Sequence, residues 1–178
     1  MKISVFMALS LDGFIARPDG DVAWLEEGDP LPEGDDAGFS AFFSSIDVLV
    51  MGRGSFDKVL EFEGWFYGDK PVVVMSKTLT EVPEHLRKTV TIDSASPQDL
   101  VDKLSKQGYE HIYLDGGKLI QSFLREGLVN EMTLTTIPII IGKGIPLFAE
   151  LDTDIHLKHL GTKTWDNGFV QTTYALSY

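Results

Sequence analysis

Residues 47–55 read Asp47-Val48-Leu49-Val50-Met51-Gly52-Arg53-Gly54-Ser55. The apolar run from Val48 to Met51 is too short for a helix and predicts a strand buried on both faces. The glycines then turn the chain, and Ser55 to Leu60 follows as a short helix. A strand that runs straight into a helix is the building unit of a parallel α/β sheet. The same order recurs downstream. Pro71 to Met75 is an apolar strand followed by Ser76-Lys77. His111 to Leu114 is another, followed by Asp115-Gly116-Gly117 and a helix from Lys118 to Glu126.

Upstream, Ile3 to Leu11 reads as a near-continuous buried strand. Lys2 and this apolar run also fit a leader peptide loosely, but Ser4, Ser10 and Asp12 interrupt the pattern, and the strand is the better reading. Asp12 to Asp36 is a long segment rich in Gly, Pro and acids, with a turn at Arg17-Pro18-Asp19-Gly20. Asp36 to Ile46 predicts a helix, because Phe39, Phe42, Phe43 and Ile46 form one apolar stripe.

Thr89 to Ile92 predicts a further strand. Ser96-Pro97-Gln98-Asp99 is a helix start with Ser96 as the cap, and Gly108 is its stop. Glu131 to Ile141 is β-rich, with Pro138 marking an edge, bulge or break. His156 to Thr164 and Phe169 to Leu176 form a terminal hairpin around Asp166-Asn167-Gly168. The expected fold is one α/β domain spanning 1–178, with a mostly parallel sheet, flanking helices and a C-terminal antiparallel hairpin.

The chain has 178 residues, no cysteine and a formal net charge of −12. Disulfides and thiolate metal sites are thereby excluded, in keeping with a cytoplasmic protein. The acidity argues against nucleic acid and anionic membrane surfaces as partners, which leaves a small-molecule substrate. The histidines show no metal-ligand spacing, so no metal is expected. The acids from Glu26 to Asp36 read as a solvated loop.

Ligands of open α/β sheets bind beyond the carboxyl ends of the strands. Three segments lie there: Gly52-Arg53-Gly54-Ser55, Ser76-Lys77 and Gly116-Gly117-Lys118. Glycine permits close approach of a phosphate, and amides at a helix start donate to it. Arg53 or Lys77 adds the charge that the 2′-phosphate of NADPH needs. Glycine at such corners is also ordinary turn chemistry. G-x-G-x-x-G is absent, since Asp57 stands at the third glycine's place, and no P-loop occurs.

Among the carboxylates, Asp36 shares the inward face of Phe39 and Phe43 and is the first candidate proton relay; equally, an acid there complements the helix dipole. Asp12 follows the first strand at the same sheet edge, or caps the turn at Gly13. Trp24, Phe56, Trp65 and Phe66 are candidates to line a pocket for flat rings or to serve as core.

Five segments carry a family resemblance: Ala8-Leu9-Ser10-Leu11-Asp12-Gly13, Asp47 to Arg53, Val74-Met75-Ser76-Lys77, Asp115-Gly116-Gly117, and Ile141-Gly142-Lys143-Gly144-Ile145-Pro146-Leu147-Phe148. In this order they resemble the reductase domain of the bifunctional riboflavin-biosynthesis deaminase/reductase, a domain similar to dihydrofolate reductase. The resemblance implies a sheet of about eight strands and an NADPH-dependent oxidoreductase acting on a small ring. It implies that Gly52, Arg53, Ser55, Ser76, Lys77, Gly116, Gly117 and Lys118 hold the cofactor, with Ala8 and Ile15 near the nicotinamide. It also implies that Asp36 is the catalytic acid, that Trp24 and Asp115 face substrate, and that the protein is a homodimer.

The departures concern substrate. Val22 stands where the riboflavin enzyme has a substrate-binding serine, and Phe56-Asp57-Lys58-Val59 stands where it has Asp-Asp-Pro. A 5-amino-6-(5-phosphoribosylamino)uracil reductase is therefore the parent activity rather than the assigned one. A pterin or dihydrofolate reductase, a non-catalytic NADP(H)-binding protein and a structural domain with an empty cleft stay open as alternatives.

Overall fold

The computed structural model describes residues Met1–Tyr178. The strands are β1 (Lys2–Ser10), β2 (Phe14–Ala16), β3 (Val48–Gly52), β4 (Val72–Met75), β5 (Val90–Asp93), β6 (His111–Asp115), β7 (Glu131–Ile137), β8 (Ile145–Pro146), β9 (His156–Thr164) and β10 (Val170–Ser177). The α-helices are α1 (Phe39–Ser45), α2 (Arg53–Val59), α3 (Pro97–Lys106) and α4 (Gly117–Arg125).

Eight strands form one sheet in the order β5-β4-β3-β6-β1-β7-β10-β9. The first six are mutually parallel, and β10 runs antiparallel to both β7 and β9. This is the expected mixed α/β architecture of the riboflavin-type reductases. The strand from Asp47 to Met51 sits inside the sheet, and Val48 to Met51 are wholly inaccessible. Their alternation sends Val48 and Val50 to one face and Leu49 and Met51 to the other. The first face packs on Leu100 and Leu104 of α3 and Ile120, Phe123 and Leu124 of α4. The second packs on Phe56 of α2 and the phenylalanines of α1.

Local signals set the boundaries. The Ser96 hydroxyl accepts the Asp99 amide and opens α3. Strand β7 stops at Ile137, directly before Pro138. The terminal hairpin closes through Trp165 and Phe169, with Gly168 at φ 86°.

Two features depart from the expectation. A small ribbon, β2 with β8, lies apart from the main sheet. It brings the Ile141 to Phe148 segment back onto the loop after β1. Helix α1 begins at Phe39, because Gly38 takes φ 83° and ends the helical run there. Asp36 thus lies before the helix, not on its inward face.

Candidate functional site

The sheet's carboxyl-terminal edge opens into a cleft of about 970 Å³. Seven of the ten expected cofactor residues line it: Ile15, Gly52, Arg53, Ser55, Gly116, Gly117 and Lys118. Asp115 lines it as well. Strands β3 and β6 pair directly, Met51 opposite Asp115, so their two following corners meet.

That meeting is tight. A Cβ on Gly116 would lie 2.7 Å from the Ser55 hydroxyl oxygen and 3.5 Å from the Gly52 nitrogen. Gly116 also has φ +99°, which L side chains rarely adopt. Gly117 is constrained from the other side, where its Cβ would meet Ile15 and the Pro146 carbonyl at 3.1 Å. The ribbon of β2 and β8 therefore packs onto the start of α4. No side chain caps that helix start, and Lys118 stands exposed beside it. Uncapped amides next to a cation suit a phosphate group, so the residues present fit a dinucleotide cofactor.

Asp115 is the unusual carboxylate. It ends β6, and burial pushes its carboxyl above the usual range, against the opposing pull of the Ser55 hydroxyl and the Gly116 amide. Tyr67, also on the cleft wall, is pushed well above the usual phenol range by its own burial and then by the charge of Asp115. Asp115 is thus the lining carboxyl whose proton affinity burial raises, a property suited to acid–base chemistry.

Several expected residues are placed elsewhere. Asp36 is exposed and outside the cleft; its carboxylate accepts the Gly38 amide at 2.9 Å and the Ser40 amide at 2.7 Å. The Ser40 contacts hold its carboxyl below the usual range. It braces the turn that leads into α1, whose N-cap is Gly38, and is not a buried relay. Asp12 is also exposed, and accepts from the Gly142 amide at 2.8 Å and the Ile141 amide at 3.3 Å. Helped first by the Ser10 hydroxyl, these contacts lower its pKa. Asp12 ties two loops together.

Trp24 is 1% exposed and lies in the core, while its neighbours Val22 and Leu25 reach the cleft. Ala8 does not line the cleft, whereas Met7 does, because successive strand residues face opposite sides. Phe56 is buried, Trp65 packs on it with ring centres 6.2 Å apart, and Phe66 points to solvent. The aromatic groups of the cleft are instead Phe62 and Tyr67.

The Ser76-Lys77 segment flanks the cleft without lining it. Ser76 accepts the amides of Thr78 and Leu79 in a turn, and Lys77 is exposed. The Arg53 guanidinium reaches the segment by donating to Thr78 at 2.8 Å, and it pairs with Asp57 at 3.2 Å. Lys58 was not anticipated. It lines the cleft and pairs with Glu61 at 2.7 Å. The turn from Lys58 to Glu61 carried no local motif that would have marked it.

The acidic loop before α1 is not freely solvated. The Asp35 carboxylate accepts from Trp165 Nε1 at 2.8 Å and Lys163 at 3.0 Å, which together lower its pKa to about 2. Gln171 of β10 donates to the Ala37 carbonyl at 2.9 Å. The long loop is thereby fastened to the terminal hairpin.

Comparison with known proteins agrees with this architecture. The family model described as the RibD C-terminal domain matches residues 1–171. The uncharacterized protein YwjB of Bacillus subtilis (strain 168) is 32% identical over 164 residues, which covers 91% of each chain. A crystal structure from Shewanella sp. PV-4, provisionally named a riboflavin biosynthesis protein, superposes with a TM-score of 0.94 at 40% identity, covering 100% of both chains. The diaminohydroxyphosphoribosylaminopyrimidine deaminase/5-amino-6-(5-phosphoribosylamino)uracil reductase of Thermotoga maritima superposes with a TM-score of 0.71 at 15% identity. It covers 99% of this chain and 56% of that longer one, and at this identity the likeness is one of fold.

Proposed function

The chain belongs to the RibD C-terminal domain family, and from that membership we propose that it is an NADPH-dependent reductase acting on a small unsaturated ring. The observation that carries the reading is the convergence of two glycine corners, Gly52 and Gly116, on one cleft that Asp115, a carboxyl raised by burial, also lines. The chemistry that NADPH supplies when bound is hydride. Gly116, Gly117 and Lys118 would hold phosphate at the start of α4, with Arg53 and Ser55 opposite. Ser76 and Lys77 would reach the 2′-phosphate from the cleft's rim, where Arg53 already touches Thr78. Ile15 and Met7 would form the apolar bed of the nicotinamide end.

Asp115 takes the acid's role that Asp36 and Asp12 do not fill. Its burial keeps it protonated at a higher pH than an exposed carboxyl, and Ser55 orients it. The proton would pass from the Asp115 carboxyl to a ring atom of the substrate, and solvent at the cleft mouth would restore it. Titration with NADPH and with NADH, followed by nicotinamide fluorescence, tests the first half of the reading. Tight binding of NADPH over NADH is expected, and no binding at millimolar cofactor would sink it. Binding without turnover on any unsaturated ring would identify a non-catalytic NADP(H) protein instead.

We also propose that two copies pair. Strand β9 is an unshielded sheet edge carrying Leu157 and Leu160, each 48% exposed. Sedimentation equilibrium checks this, and a monomer at micromolar concentration would refute it.

A further inference from the structure

We propose that the ring substrate carries no phosphate group. This rests on the reductase reading above and adds the chemical class of what that cleft accepts beside the cofactor.

Three cationic side chains line the cleft: Arg53, Lys58 and Lys118. Arg53 and Lys118 stand at the starts of α2 and α4, on either side of the Gly116 corner. Those two serve the cofactor's own phosphates. Lys58 alone remains for a phosphate on the substrate, and it is already neutralised. Its ammonium is 2.7 Å from a Glu61 carboxylate oxygen. That contact raises its pKa, and the charges of Asp21 and Asp19 raise it further. An anion that reached Lys58 would therefore have to compete with Glu61 for it.

The rest of that wall is apolar. Val22, Leu25, Val59 and Phe62 line the cleft between the loop after β2 and the end of α2. They offer a flat apolar surface to a ring and no donor to a phosphate oxygen. Asp115, which also lines the cleft, brings no positive charge. A phosphate near neutral pH carries close to two negative charges, and burying it on an apolar wall without a free cation is strongly unfavourable. An uncharged ring pays none of that cost. It gains apolar contact with the wall and a hydrogen bond at the Asp115 carboxyl. Discrimination here is built from repulsion as much as from attraction.

The test compares two probes, 5-amino-6-(5-phosphoribosylamino)uracil and its dephosphorylated ribosylamino counterpart. Their binding to the full chain is measured by calorimetry, with and without saturating NADPH. With NADPH saturating, so that Arg53 and Lys118 are taken up by the cofactor, the dephosphorylated probe is expected to bind at least about tenfold more tightly, and without NADPH that preference should narrow. With NADPH saturating, equal binding, tighter binding of the phosphorylated probe, or binding of neither at millimolar concentration overturns the proposal. Failure of NADPH itself to bind sinks the reductase reading, and the Glu61→Gln arm then still reads the wall around Lys58. Glu61→Gln supplies the second arm. Glu61 is a surface residue, so the fold tolerates the change, and the substitution frees Lys58. It should raise affinity for the phosphorylated probe by about tenfold and leave the dephosphorylated one unchanged. No gain for the phosphorylated probe would show that Glu61 is not what repels phosphate.

Discussion

A Cβ placed on Gly116 would stand 2.7 Å from the hydroxyl oxygen of Ser55. This one approach joins the corner after β6 to the corner after β3, and the cleft exists because the two corners touch.

Gly116→Ala should therefore damage both fold and site. The alanine must adopt φ near +99° and displace the Ser55 side chain. A loss of about 1–3 kcal/mol is expected from the backbone strain. Urea unfolding measures it, and NADPH titration of the surviving folded protein should show weaker binding. Wild-type stability in the variant would mean that Ser55 yields freely.

Asp115→Asn keeps the shape and removes the acid. A fall in kcat/KM of about 100-fold or more is expected, with NADPH binding retained. The same variant tests the pKa. The folded protein raises this pKa above the 3.8 of an unperturbed aspartate, so it holds the proton more tightly than the unfolded chain does. The stability from this group is complete below pH 3.8 and is lost as pH rises through the folded value. Asn at this position should flatten that decline, measured as the urea midpoint against pH.

Asp35→Asn should show the opposite sign. Its pKa is lowered to about 2, so its stabilising effect is present above 3.8 and is lost as pH falls toward about 2. The variant should melt earlier than wild type at neutral pH and match it in strong acid. Trp165 fluorescence should also shift to the red at neutral pH, because the indole loses its carboxylate partner. An unchanged spectrum would show that the loop is held by other contacts.

Lys77→Ala addresses cofactor choice. Lys77 is exposed beside the turn that Arg53 holds through Thr78. The affinity for NADPH should drop about tenfold and that for NADH should stay nearly constant. Equal losses for both would remove Lys77 from the 2′-phosphate.

Trp24 separates a core role from a substrate role. It is 1% exposed, and its indole Nε1 is buried without a hydrogen-bond partner. Trp24→Ala should cost about 3–5 kcal/mol of stability through the cavity it leaves. Trp24→Phe removes the unpaired donor and should keep both fold and cofactor binding. Loss of substrate binding in a stable Trp24→Phe protein would return this residue to the site.

The order of elements was legible along the chain because its signals act over a few residues. Val48 to Met51 is apolar on both sides of the pleat, and it lies inside the sheet. Ser96 caps α3, Pro138 follows the last residue of β7, and Gly168 turns the hairpin. The two glycine corners were legible for the same reason. Asp36 misled because helical periodicity assigns a face to every residue of a presumed helix, whereas Gly38 ends the helix two residues later. Trp24 and Phe56 misled because a large aromatic ring suits a pocket and a core equally well.

The sequence by itself determined the α/β class, the strand-to-helix corners and the net charge of −12, since each depends on local pattern or on a sum over residues. Tertiary structure alone decided which carboxyl burial raises and which cations are paired. Asp115 meets Ser55 and Tyr67 only through the pairing of β6 with β3. Lys58 is neutralised by Glu61 and by loop acids far from it in the chain. Burial and Coulomb energy depend on distances in space, and these distances do not exist until the sheet has formed.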